Sequence, residues 1–128
     1  MTRRGLIRLH KPGTAETATG TSRDLPEIAS WDKATFWLTI TAVAGTGSFQ
    51  AFIEEKDPNT TTEWADAGAG HPGRLVTFTA ITEAGPFPNV QRNAVSPITS
   101  RRIRLSWTIT GLTSVTFGVT AVVSSEEG

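Results

Sequence analysis

There is no cysteine in the 128 residues, which removes disulfide staples, thiolate zinc sites and a thiol nucleophile, and leaves stability to packing or to partners. Histidine is almost as scarce. His10 and His71 are the two, too few and too far apart for a zinc cluster. Nucleophilic acyl chemistry needs a base beside a hydroxyl and an orienting group, and no serine stands in a Gly-x-Ser-x-Gly turn. A pairing of His71 with Ser48 or Ser106 is the remaining triad, set against the plainer reading of His71 as a loop residue beside Pro72.

Long apolar runs are also missing. FWLTITAVAG is short and threonine-rich, well below the roughly 20 residues a membrane helix needs. The basic start MTRRGLIRLHKPG has no apolar stretch of secretion-signal length behind it, so the expectation is a soluble chain, without a membrane partner, that does not use the general secretory route. Neither charge is in excess: 12 basic residues offset 12 acidic ones, which argues against a phosphate backbone as the main partner. The glycines of GAGHPG are followed by no Lys-Ser/Thr, so they make no phosphate cradle. Trp107, beside the basic stretch 92–104, falls on the inward set of its strand, where a stacking platform would need it exposed. No nucleic acid is expected.

Oxygen-rich metal sites fare no better. EEKDPNTTTE lacks the alternating ligands and central glycine of a helix-loop-helix calcium site. Glu54, Glu55, Asp57 and Asn59 are its possible ligands, set against a solvated acidic turn. Glu54, Glu63 and Asp66 are near one another as paired carboxylates, but nothing around them resembles a glycosidase cleft. The chain is read as not an enzyme, with no catalytic residue, no metal and no cofactor.

What is present is alternation. In ATFWLTITAVAG, Phe36, Leu38, Ile40 and Ala42 share one side and Trp37, Thr39, Thr41 and Val43 the other, the period of a strand. Gly45 and Gly47 interrupt it. SFQAFIEE follows, with Phe49, Ala51 and Ile53 together, and runs into the turn Asp57-Pro58-Asn59. RLVTFTAI is a third strand. RRIRLSWTITG puts Ile103, Leu105, Trp107 and Ile109 on one face. SVTFGVTAVV does the same with Val115, Phe117, Val119, Ala121 and Val123. Gly111-Leu112-Thr113 between them is short enough for a hairpin, which predicts antiparallel pairing of these two runs.

With further short strands near 4–9 and 24–28 the count is about seven to eight. No segment holds helical spacing for ten residues. The fold class is all-β: an antiparallel β-sandwich, jelly-roll-like. Both faces of several strands carry large groups, notably Trp37 against Phe36 and Phe52 against Ile53, so the surplus aromatics need an arm, a loop or a partner over them. Residues 1–30 differ from the rest: PGTAETATGTSRD has no periodicity and no aromatic residue, and reads as an extended arm and linker ahead of a sandwich domain at 31–125.

Opposite charges are segregated along the chain. Arg3, Arg4, Arg8 and Lys11 make a basic start, Glu54, Glu55, Asp57, Glu63 and Asp66 an acidic middle, and Arg92, Arg101, Arg102 and Arg104 a second basic stretch. Such patches suit docking between subunits, against the plainer reading of solvated charges on loops and strand faces. The arm's contact set to a neighbouring subunit is Arg3, Arg4, Leu6, Ile7, Arg8, Leu9 and Lys11. Sugar binding is the small-ligand rival, with Glu63, Trp64 and Asp66 as its surface set and Trp31 with Asp32 next. Trp64 as a cap on an open end of the sandwich is the plainer alternative.

The pieces TFWLTITAVAGTGSFQAFIEEKDP, TTEW, FTAITEAGPFP and RRIRLSWTITGLTSVTFGVTAVV carry a pattern. A strand ends in Thr41 and Gly45, the next runs to Asp57 and Trp64, and a strand with Arg104, Leu105 and Trp107 turns through Gly111 into one centred on Phe117. This pattern resembles the small β-sandwich structural proteins of tailed bacteriophages. The chain departs in having Glu-Lys-Asp-Pro-Asn where a glycine-containing acidic turn is expected, and in its long polar arm. The resemblance implies a virion protein assembled in the host cytoplasm. Head decoration or cement that binds the assembled capsid comes first, a minor tail or head-tail connector component second, and a carbohydrate-binding module is the rival from outside the family. It also implies the major capsid protein or another virion protein as partner, and self-association, with a trimer as the expected state.

Overall fold

The computed structural model describes residues 2–55, 74–98 and 102–126. Seven strands and one helical turn make up these residues: β1 (Thr2–Glu16), β2 (Gly20–Thr21), α1 (Pro26–Ala29), β3 (Lys33–Glu55), β4 (Arg74–Thr77), β5 (Ile81–Thr82), β6 (Asn89–Val95) and β7 (Ile103–Glu126). The fold is all-β and antiparallel, a sandwich-like arrangement with almost no helix among the described residues.

Two long strands organise it. β3 and β7 pair antiparallel from Lys33 opposite Ser124 to Glu55 opposite Ile103, with register shifts between Ile40 and Ala42 and again around Gly45. At these shifts the ladder bends. Gly111 has φ +80°, a conformation that costs a side-chain-bearing residue roughly 1–2 kcal/mol. Gly47 sits so close to β7 that a Cβ there would lie 1.9 Å from the Thr110 carbonyl oxygen.

The bend divides the ladder into two layers. In layer one, the 33–43 half of β3 and the 115–124 half of β7 lie between β1 and β6. In layer two, the 48–55 half of β3 and the 103–110 half of β7 lie between β2 on one side and β4 and β5 on the other. The layers meet in the core, where the Phe49 ring of layer two is 4.8 Å from the Phe117 ring of layer one and Trp107 meets Phe117 edge-on at 5.6 Å. Phe36, Leu38, Ile40, Phe49, Ile53, Leu105, Val115 and Phe117 are fully buried, each contributing roughly 1.5–3 kcal/mol by its burial.

The bend replaces the expected hairpin. Residues 103–110 and 115–123 belong to one strand and both pair with β3. Locally a three-residue segment around Gly111 serves a reversal or a bend equally well; the matching glycine break at Gly45 and Gly47 in β3 makes it a bend. The expected strand at 24–28 is instead α1. Pro26 stands at its start, where a missing N–H costs nothing, and Leu25 and Ile28 are buried. The Leu25 N–H donates to the Ile103 carbonyl and that of Asp32 to the Ser124 carbonyl, so this segment joins the two layers at the end away from the bend.

Thr2–Glu16, within the expected arm, runs along β7, from Thr2 opposite Glu126 to Glu16 opposite Val115. A composition too poor to build a core can still complete one, because the sheet edge supplies both hydrogen-bond partners and an apolar surface. Ile7 and Leu9 pack on the core.

Candidate interaction face

Alternation turns every second residue of layer one away from the core. Register then fixes which of these become neighbours. Leu6 lies opposite Val122, Val122 opposite Thr35 and Thr35 opposite Ala94. In the next row Arg8, Thr120, Trp37 and Arg92 follow one another across the four strands, and in the third Gly118, Thr39 and Val90. Pro12, in the irregular stretch of β1, lies over Gly118 and closes that corner.

Four large apolar side chains stand exposed among the described residues: Leu6 at 62%, Val90 at 55%, Val122 at 41% and Trp37 at 39%. All four are on this one face. Four cations share it. Arg4 and Lys33 both lie opposite Ser124, Arg8 is in the middle row, and the Arg92 guanidinium lies 5.6 Å over the Trp37 ring. No carboxylate is found among its described side chains. An exposed apolar patch among polar and charged side chains marks an interaction surface.

The expected arm contacts divide between the two sides of β1. Arg4, Leu6 and Arg8 are exposed on the face, whereas Ile7 and Leu9 point into the core. Lys11 is exposed in the irregular stretch, and Arg3 stacks on Trp31 at 5.0 Å. Trp31, a second-choice sugar residue, also packs against Gly5 and the core edge, so its ring helps hold β1. Glu63, Trp64 and Asp66 lie outside the described residues, as do His71, Asp57 and Asn59.

Arg101 lies outside the described residues, and the rest of the second basic stretch is split between separate places. Arg92 is on the face, Arg102 pairs with Asp24, and the Arg104 Nε donates to Glu54 Oε1 at 2.9 Å. Glu54, only 3% exposed, is thus the partner of a guanidinium, which is not the setting of a free calcium ligand. Burial pushes the Glu55 carboxyl above its ordinary range, and a hydrogen bond from Arg23 holds that of Glu27 below it. No group of three His, Asp or Glu that could hold a metal occurs among the described residues.

Of the surplus aromatics, Trp37 is exposed on the face, while Phe52 is buried beneath the Arg74 guanidinium, 3.8 Å above its ring. Trp107 is in the core, as its strand phase indicates. His10 escaped the sequence reading. It is buried and stacked on Phe117 at 3.9 Å, its Nδ1 donates to the Phe117 carbonyl at 2.9 Å, and its Nε2 lies 3.0 Å from the Glu16 carboxylate. It pins β1 where that strand passes from layer one towards β2. No local signal marks its burial, because the Phe117 and Trp107 rings it packs against lie about a hundred residues on.

No protein-family model and no curated protein matches the sequence. Solved structures do share its fold. The SPBc2 prophage-derived protein YomS matches over 98% of this chain and 96% of its own, with a TM-score of 0.53 and 13% identity. A structure of the infectious bursal disease virus Gx strain matches over the whole chain, which spans 34% of that protein, with a TM-score of 0.52 and 12% identity. The Clostridium thermocellum N-terminal endo-1,4-β-D-xylanase 10B CBM22-1-GH10 modules, complexed with xylohexaose, match over 96% of the chain, which spans 21% of that protein, with a TM-score of 0.54 and 14% identity. At these identities the likeness establishes the β-sandwich fold.

Proposed function

We propose that the chain is a structural protein of a phage particle, a head decoration protein that docks on the assembled capsid through the outer face of layer one. The observation that carries this reading is the gathering of Leu6, Trp37, Val90 and Val122 on one face with Arg4, Arg8, Lys33 and Arg92 among them. The fold likeness to a prophage-derived protein over nearly the full length of both chains supports the phage setting. The partner surface is acidic with apolar side chains between its charges. Two copies placed face to face would oppose cation to cation, so the trimer uses other surfaces, with the edge strands β1 and β6 as its candidates. One weak contact repeated at every symmetry-related site adds up to firm attachment.

The test is the copy number of the chain in purified particles, by quantitative mass spectrometry against the major shell protein. A simple ratio to the shell supports decoration. A few copies per particle assigns the chain to the tail or connector, and absence overturns the virion reading. Val122→Glu puts a charge in the centre of the face at an exposed site, where stability changes are within about 0.5 kcal/mol; the variant folds and no longer binds particles.

One observation favours a carbohydrate-binding reading instead: Trp37 lies on an open sheet face flanked by Thr35, Thr39 and Thr120. Sugar-dependent quenching of tryptophan fluorescence that disappears in Trp37→Ala, with no particle binding, would replace the first reading by this one.

A further inference from the structure

The exposed apolar side chains of the layer-one face stand in a line. Leu6 on β1 and Val122 on β7 are neighbours in the first row, Trp37 on β3 is in the second, and Val90 on β6 is in the third. Together they form one diagonal stripe across the sheet. With strands about 4.8 Å apart and residues of one face about 6.6 Å apart along a strand, the stripe is roughly 20 Å long. Cations flank it on both margins. Arg8, beside Thr120, is on one side, and Arg4, Lys33 and Arg92 are on the other.

We propose, resting on the docking role given to this face, that the stripe receives one amphipathic helix of a partner protein, about 13 residues of it in contact, with acidic side chains along both margins of its apolar side. The middle of a sheet face offers no spare backbone N–H or C=O, because the strands use theirs on one another. An extended segment laid there would leave its own backbone groups unpaired against Leu6, Val122 and Trp37, whereas a helix satisfies its own. A helix with its side chains is about 10 Å wide, enough to cover the stripe and leave the cations uncovered at its two sides. Acidic side chains on those sides then meet Arg8 on one flank and Arg4, Lys33 and Arg92 on the other. A second sheet packed on the face would span all four strands and bury those cations. A lipid surface accepts apolar side chains in any layout and gains nothing from a line of them.

The experiment is a titration of the intact protein, followed by amide NMR shifts, with a stapled helical peptide of about 14 residues that carries leucine at i, i+3, i+4 and i+7 and glutamate on both margins of that stripe. Its counterparts are a peptide of the same composition in which leucine and glutamate alternate, the helical peptide with lysine in place of glutamate, and vesicles of phosphatidylcholine and phosphatidylglycerol in equal parts. The helical glutamate peptide binds at least about tenfold more tightly than either other peptide, and on the unaltered protein its shifts cluster at Leu6, Trp37, Val90 and Val122. Arg8→Glu weakens that peptide at least about fivefold and tightens the lysine peptide, while circular dichroism reports the same β content. Equal or tighter binding of the alternating or the lysine peptide, tighter association with the vesicles, or no binding of the helical glutamate peptide at about 1 mM overturns the helix. If that peptide fails while Val122→Glu still abolishes particle binding, the helix is overturned and the docking face stands; particle binding unchanged by Val122→Glu overturns both.

Discussion

Gly47→Ala is the substitution that separates a bent strand from a hairpin. In the bent ladder the added Cβ would lie 1.9 Å from the Thr110 carbonyl oxygen and 2.8 Å from the Leu112 nitrogen. Close C–H···O contacts have a carbon-oxygen separation of roughly 3.3 Å or more, so β3 and β7 must part by more than an ångström at the bend. Forced backbone shifts of that kind cost about 1–3 kcal/mol, and each ladder hydrogen bond lost adds about 1 kcal/mol. The expected total is about 3–5 kcal/mol, a fall of roughly 10–20 °C in Tm for a domain of this size.

Gly13→Ala is the control. Gly13 also has a positive φ, +81°, but nothing lies within 4 Å of its added Cβ, so that variant carries only the conformational cost of about 1–2 kcal/mol. Urea unfolding followed by circular dichroism measures both. A loss for Gly47→Ala no larger than that for Gly13→Ala would refute the bend, because in a hairpin loop position 47 would have room for a methyl group.

Two further outcomes follow from the charged groups of layer two. Glu54→Ala removes the buried carboxylate that accepts from Arg104; the loss is about 3–5 kcal/mol by urea unfolding, and a loss below about 1 kcal/mol would contradict the ion pair. Glu55 behaves in the opposite sense: burial raises its folded-state pKa, so its ionisation disfavours the folded state as pH rises through and above the ordinary carboxylate range. Glu55→Gln is therefore more stable than the parent at pH 7 and indistinguishable from it at pH 3, and equal stability of the two proteins at both pH values would contradict the desolvation.

Alternation was legible in the chain because a strand's two-residue period is local geometry. Phe36, Leu38 and Ile40, and likewise Val115, Phe117 and Val119, point inward as their spacing requires, and Trp37 stands out on the other side for the same reason. The residues also determined the near-absence of helix, apart from the one turn that Pro26 starts. Tertiary structure decided what depends on which segments meet. It made one bent strand of two expected ones, because a glycine turn reads alike as reversal or bend until its partner is known. It drew Thr2–Glu16 into the sheet, since an edge strand borrows its hydrogen bonds and apolar cover from β7. It assembled the face from Leu6, Trp37, Val90 and Val122, residues tens of positions apart that only strand register brings together.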